Sequence, residues 1–127
     1  MPTSAISTFR AAAEGGDHEA LLATLAPDVR FFTPVYHSPM EDREVISTLL
    51  QVLLETFEDF HYTDELVGDD AHALVFRTTV GDYQLQGVDL LRPGDDGLFD
   101  EFTVLIRPLE GLDHLAQVVG AQMAERL

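Results

Sequence analysis

Residues 87–107, GVDLLRPGDDGLFDEFTVLIR, have the pattern of two β-strands joined by a turn. Proline and glycine mark the turn at 93–97, and mostly apolar residues flank it, which is typical of an antiparallel hairpin. One aspartate, Asp89, interrupts the apolar run of the first strand. Because side chains alternate between the two faces of a strand, Asp89 is predicted to lie on the inward face with Leu85 and Leu91. The stretch therefore predicts an antiparallel sheet with a carboxyl group on its buried side.

The rest of the chain adds helices and further strands to this hairpin. Apolar spacing predicts two helices before Pro27, a strand at Val29–Thr33, and a third helix whose apolar stripe runs from Val45 to Phe57. The later segments are four predicted strands and a terminal helix: Phe60–Val67, Ala71–Val80, Tyr83–Arg92, Leu98–Ile106 and Glu110–Leu127. This order predicts an α+β fold with helices on one face of a curved sheet, in a single domain of residues 1–127.

The charge balance limits the classes of partner. Acidic residues outnumber basic ones 23 to 7, which gives a formal net charge of −16. Such a surface repels nucleic-acid phosphates and anionic lipid, so neither nucleic acid nor a membrane is expected as a partner. The sequence contains no cysteine, which excludes disulfides and fits a reducing compartment. The first residues show no signal-peptide pattern, so the predicted location is cytoplasmic.

Motifs for metals and nucleotides are absent from the sequence. It has no HExxH, His-x-His or EF-hand spacing and no glycine-rich phosphate loop. The acidic residues of the turn at 93–97 would repel a phosphate. The sequence therefore predicts no metal and no cofactor.

Two segments and their spacing carry a family resemblance. FRAAAEGGDHEALLATLAPDVRFFTPV at 9–35 and GVDLLRPGDDGLFDEFTVLIRP at 87–108 resemble the nuclear transport factor 2-like superfamily, in its SnoaL-like, ketosteroid-isomerase-like branch. The resemblance implies a cystatin-like cone: a curved, mostly antiparallel sheet wrapped around a long helix, with N-terminal helices closing the cone. It also implies a small apolar ligand in the open end and a homodimer formed through the sheet. The fold hosts isomerases, cyclases, hydrolases and inactive binding modules, so it does not specify a reaction.

Compared with ketosteroid isomerases, the chain retains one of the three residues with catalytic roles. The resemblance places Asp89 at the aspartic acid of the oxyanion hole, which in those enzymes is protonated and donates a hydrogen bond. It places Phe9 at the tyrosine of the first helix and Thr33 at the carboxylate base, and neither can fill that role. The Arg-x-Asp pair of limonene-epoxide-hydrolase-like relatives is absent. Neither reaction is therefore expected in its usual form.

Asp89, Glu101 and His37 are the candidate catalytic residues. Asp89 and Glu101 lie on adjacent predicted strands and could divide acid and base roles, although Glu101 could instead pair with an arginine. His37 follows the strand that ends at Thr33 and would lie at the mouth of the cone. Asp89 could instead be a structural aspartate, hydrogen-bonded to a neighbouring strand or helix. Gly87 is expected to leave open space beside it, as at positions where a ligand or a neighbouring backbone comes close.

The remaining candidates would contact a ligand rather than react with it. They are Phe9, Thr33, Tyr36, Thr103 and Arg107. Two functions fit the sequence. The first is a cofactor-independent isomerase, cyclase or hydratase that binds a small apolar or carbonyl-bearing molecule, and the second is a non-catalytic ligand-binding or dimeric interaction module.

Overall fold

The computed structural model describes residues 4–127, which form four helices and five strands. The helices are α1 (Ala5–Glu14), α2 (His18–Ala23), α3 (Arg43–Thr56) and α4 (Leu109–Arg126). The strands are β1 (Leu25–Phe32), β2 (Glu58–Val67), β3 (His72–Val80), β4 (Tyr83–Pro93) and β5 (Phe99–Arg107). The α+β order predicted from the sequence is confirmed.

The five strands form one curved, unclosed sheet in the order β1-β5-β4-β3-β2. Strands β2 to β5 follow one another as an antiparallel meander, and β1 pairs parallel with β5. Tight turns at Gly81 and at Gly97, both with positive φ, allow the chain to reverse between neighbouring strands. The helices lie on the concave side, which is the arrangement that the resemblance implied.

The boundary at Pro27 differs from the prediction. Helix α2 ends earlier, at Ala23, and Pro27 lies inside β1. A proline is tolerated there because β1 is an edge strand, and its pairing with β5 is irregular between Leu25 and Arg30. At the other end of α2, the side chain of Asp17 accepts a hydrogen bond from the backbone N–H of Ala20 and caps the helix.

Aromatic rings tie the first helix to the sheet. The ring of Phe9 on α1 meets that of Phe102 on β5 edge-to-face, with 5.3 Å between ring centroids. Phe31 of β1 meets Phe102 in the same way, at 4.8 Å. All three side chains are buried. Pairs in this geometry add stability beyond the apolar area that they bury, so α1 is held firmly over the edge of the sheet formed by β1 and β5.

Helix α4 packs across α3, β4 and β5. Its glycine at position 111 brings the helix close to the sheet, because a side chain there would collide with that of Leu85. None of the helices within residues 4–127 is long and apolar enough to span a membrane.

Candidate functional site

The central polar feature is a hydrogen bond between two buried side chains. Along β4, burial alternates as predicted, and Asp89 is only 5% exposed. The hydroxyl of Tyr62 on β2, also 5% exposed, donates to Oδ2 of Asp89 at 2.6 Å. Strand β3 lies between the two, so the side chains reach across it on the concave face. The prediction of a buried, inward aspartate is confirmed.

Helix α1 fixes the backbone that carries Tyr62. The carboxylate of Glu14 accepts a hydrogen bond from the backbone N–H of Tyr62 at 3.0 Å. The guanidinium of Arg10 pairs with Glu14 and lies over the tyrosine ring, 5.9 Å from its centroid. These contacts hold the hydroxyl in position to donate to Asp89.

The environment shifts the proton equilibria of both groups. Burial raises the pKa of Asp89 to about 7, and the hydrogen bond from Tyr62 opposes that rise only in part. Burial, followed by the nearby charge of Asp89, raises the pKa of Tyr62 well above its ordinary value. Tyr62 therefore stays neutral and remains a donor, while Asp89 changes its charge near neutral pH.

Asp89 lines a cavity of about 400 Å³. Eight aromatic residues contribute to its wall: Tyr36, Tyr62 and the phenylalanines at positions 9, 31, 57, 60, 76 and 102. Among the described residues, Asp89 has the only carboxyl side chain in the lining. Its Oδ1 atom has no hydrogen-bond partner in residues 4–127. One carboxyl oxygen is therefore held by Tyr62 and the other is available to a ligand.

The space beside Gly87 is filled by protein. A Cβ atom at this position would lie 2.5 Å from Cε2 of Phe76 and 2.7 Å from the backbone oxygen of Leu105. The glycine thus allows a phenylalanine ring and a neighbouring strand to approach closely. The expected close approach of a neighbouring backbone is thus confirmed, and the expected open space is wrong, because the ring of Phe76 occupies it.

Three of the predicted ligand contacts, Phe9, Thr33 and Tyr36, line the cavity. The hydroxyl of Thr33 accepts hydrogen bonds from the backbone N–H groups of Val35 and Tyr36, both at 3.2 Å, and so shapes the loop after β1. His37 follows Tyr36 in this loop but is exposed and lies outside the lining of the cavity. The structure thus places His37 near the site without bringing it to Asp89.

Glu101, Thr103 and Arg107 lie on the opposite face of the sheet. The inward side chains of β5 are those of Phe102 and Val104, so alternation turns the odd-numbered positions outward. Glu101 forms ion pairs there with Arg30 and with Arg92.

This geometry corrects the expectations for the outward residues of β5. Because Glu101 faces away from the cavity, it cannot share acid and base roles with Asp89 inside it. Arg107 donates a hydrogen bond to Oε1 of Gln86 at 3.3 Å on the same outer face. Thr103 and Arg107 therefore do not contact a ligand held in the cavity.

Sequence reasoning missed Tyr62. Phe60 and Tyr62 alternate with His61 along β2, and this alternation could have placed the tyrosine on the inward face. Its partnership with Asp89 depends on the registers of two strand pairs, Tyr62 with Phe76 and Leu74 with Asp89.

Comparisons with known proteins agree with the fold. The family model for the SnoaL-like domain matches residues 6–102. A steroid delta-isomerase from Pseudomonas aeruginosa is 32% identical, with a TM-score of 0.82, over 96% of this chain and 88% of that chain. A protein with a cystatin-like fold from Silicibacter pomeroyi DSS-3, described as uncharacterized, is 29% identical, with a TM-score of 0.87, over 93% of this chain and 84% of that chain. No curated protein matches the chain.

The same architecture occurs in a designed protein. A de novo designed protein with a curved β-sheet has a TM-score of 0.74, at 14% identity, over 97% of this chain and 93% of that chain. At that identity the likeness concerns the fold alone. The family match, over residues 6–102, includes three of the four helices, strands β1 to β4, the start of β5 and both Tyr62 and Asp89. The chain belongs to the SnoaL-like domain family of the nuclear transport factor 2-like superfamily.

Proposed function

We propose that this protein binds a mainly apolar small molecule that carries one carbonyl or similar neutral oxygen, and that Asp89 hydrogen-bonds this oxygen. The observation that carries the proposal is a single buried carboxyl group, held by Tyr62 through Oδ2, whose Oδ1 is free at an aromatic-lined cavity. Ligand sites of this kind combine an apolar wall with a few convergent polar groups that fix orientation.

The tyrosine determines which oxygen carries the proton. Because Tyr62 donates to Oδ2, the proton of neutral Asp89 belongs on Oδ1. With a pKa of about 7, a large fraction of Asp89 is protonated at neutral pH. A carbonyl oxygen can accept a hydrogen bond from that proton, whereas a carboxylate facing the same carbonyl would repel it. A neutral acceptor is therefore the polar group that this site fits.

We expect α-tetralone, a two-ring aromatic ketone, to bind wild-type protein and to bind Asp89→Leu about 10- to 100-fold more weakly. The reason is that leucine keeps the volume but removes the donor, and a hydrogen bond to a carboxyl group contributes about 1.5–3 kcal/mol. Isothermal titration calorimetry at pH 6 measures the affinities. Glu101→Gln is the matched control, since it removes a carboxyl group outside the cavity. Equal affinity of wild type and Asp89→Leu would contradict the proposal.

A second candidate function is isomerisation by proton transfer through Asp89. Two observations favour it: a carboxyl pKa near neutrality, which suits a general acid or base, and the 32% identity to a steroid delta-isomerase. Ionised Asp89 would take a proton from the carbon next to the ketone, and the C–H electrons would form an enolate. The same carboxyl group would return the proton to carbon. Phe9 has no hydroxyl to donate from the first helix, and Thr33 cannot act as a second base. Asp89 would therefore transfer the proton alone.

The α-tetralone samples also distinguish binding from proton transfer. In D₂O, turnover would replace the hydrogens next to the carbonyl with deuterium faster with wild type than with Asp89→Asn, and NMR records the rate. Equal exchange rates with the two proteins would contradict isomerase activity and leave ligand binding as the proposed function.

We also propose that two copies pair through the outer face of the sheet. Leu105 is 55% exposed there and lies beside Val88 on the neighbouring strand. Four of the chain's seven basic residues share this face, namely Arg30, Arg77, Arg92 and Arg107. An apolar centre with a charged rim is the usual composition of an interface.

For this pairing, Leu105→Arg is expected to weaken the dimer at least about tenfold, because it places a charge at the centre of the contact. Size-exclusion chromatography with light scattering, over a dilution series, measures the change. Leu109→Arg is the matched control, since Leu109 is more exposed and lies on α4. A wild-type monomer at high concentration would refute the pairing.

A further inference from the structure

Helix α4 forms one wall of the cavity and lies outside the residues that the family model matches. Its lining positions recur every three or four residues, as expected for one face of a helix. They include Leu112, Leu115, Ala116, Val119, Gly120 and Met123. This wall is therefore formed by the C-terminal helix, beyond the residues that the family model matches.

Both ends of α4 are anchored. Near its start, Leu115 is buried against Val80 and Leu85, and the ring of His114 stacks on Tyr83 with 4.8 Å between centroids. At its end, the guanidinium of Arg126 donates to the carboxylate of Glu55 on α3, at 2.6 Å. The segment between the anchors is held over the cavity.

Gly120 lies in this middle segment, where a glycine is unfavourable for a helix. Packing does not require it, since a Cβ atom at this position would meet no atom within 4 Å. The residue is exposed to solvent and yet lines the cavity, so it stands at the opening. Tyr36, 72% exposed, and Val35 line the same cavity from the loop after β1. The absence of a side chain at 120 thus leaves the mouth of the cavity open.

We infer that Gly120 is a specificity-determining residue that sets the largest ligand the cavity admits. A side chain at this position would share the helix face of Ala116 and Met123 and would extend into the mouth. Ligands with several fused rings would meet this side chain, whereas a one-ring ligand would pass beneath it to Asp89. The inference rests on the proposed function, because it takes the cavity as the binding site.

Affinities for cyclohexanone, α-tetralone and fluorenone, which have one, two and three rings, test this inference. We expect Gly120→Leu to weaken binding of fluorenone at least about tenfold and that of cyclohexanone less than about threefold. Retained binding of cyclohexanone also shows that the variant is folded. Ala121→Leu is the matched control: it adds a larger side chain on the next residue of α4, which does not line the cavity, and should leave the three affinities in their wild-type order.

The outcomes separate this inference from the proposed function. Asp89-dependent binding with the same size preference in wild type and Gly120→Leu would overturn the role of Gly120 and leave the proposed function standing. Failure of wild type to bind any of the three ketones would overturn both.

Discussion

Replacing Asp89 with asparagine should stabilise the protein by about 4 kcal/mol near pH 8 and change its stability little near pH 4. Burial raises the pKa of Asp89 from 3.8 to about 7. The folded protein therefore holds this proton more tightly than the unfolded chain does. In wild type, the stability contributed by the proton on Asp89 is fully present below the unfolded pKa and is lost as the pH rises through the folded pKa of about 7. The advantage of the asparagine variant grows over the same pH range.

The size of this effect follows from the difference between the two pKa values. From 3.8 to about 7 is about three pH units, and each is equivalent to about 1.4 kcal/mol. Asparagine has nearly the shape of the neutral acid, and its carbonyl oxygen can accept the hydrogen bond from Tyr62. Because it never ionises, it avoids the cost of a buried charge at high pH.

Urea unfolding of both proteins across this pH range measures the difference. All other titrating groups are common to the two chains, so subtracting one free energy of unfolding from the other isolates Asp89. Glu101→Gln is the control, since its carboxyl group lies on the outer face of the sheet, outside the cavity. Parallel pH profiles for wild type and Asp89→Asn would show that Asp89 ionises without penalty.

The Gly87→Ala substitution is expected to lower the free energy of unfolding by about 3 kcal/mol, at the upper end of what overpacking costs. The new methyl group would lie 2.5 Å from a ring carbon of Phe76 and 2.7 Å from the backbone oxygen of Leu105. The ring can move toward the cavity, but the backbone of β5 cannot move without disturbing its pairing with β4.

Two further variants identify the cause of that loss. Gly120→Ala makes the same change where no atom lies within 4 Å, and it should instead stabilise α4 by about 1 kcal/mol. Adding Phe76→Leu to Gly87→Ala should cost less than the sum of the two single changes, because the smaller side chain relieves the collision with the ring. Full additivity, or a Gly87→Ala variant as stable as wild type, would contradict this packing.

The inward direction of Asp89 could be predicted from the sequence, because β4 alternates between clearly different faces. The inward face of β5 is harder to predict from the sequence, since apolar residues lie on both of its faces. Glu101 on one face and Phe102 on the other left the direction to be decided by pairing with β4. The location of Glu101 outside the cavity is therefore a property of the assembled sheet.

Contacts between distant elements account for what the sequence did not reveal. Tyr62 meets Asp89 because β3 separates their strands by a fixed distance and register. The apolar stripe of α4 was recognisable, but its position over a cavity depends on packing against Leu85 at one end and the ion pair of Arg126 at the other. Neither the contact of Tyr62 with Asp89 nor the position of α4 produces a recognisable pattern in the local sequence.

The most direct test of Asp89 as the polar anchor of the cavity is a ¹³C NMR titration of the aspartate side-chain carboxyl groups, with and without saturating α-tetralone. One carboxyl signal, absent from Asp89→Asn, should titrate with a pKa of about 7. The ketone should raise that pKa, since it accepts a hydrogen bond only from the protonated acid. An Asp89 signal that titrates in the ordinary range and does not respond to the ketone would contradict the account.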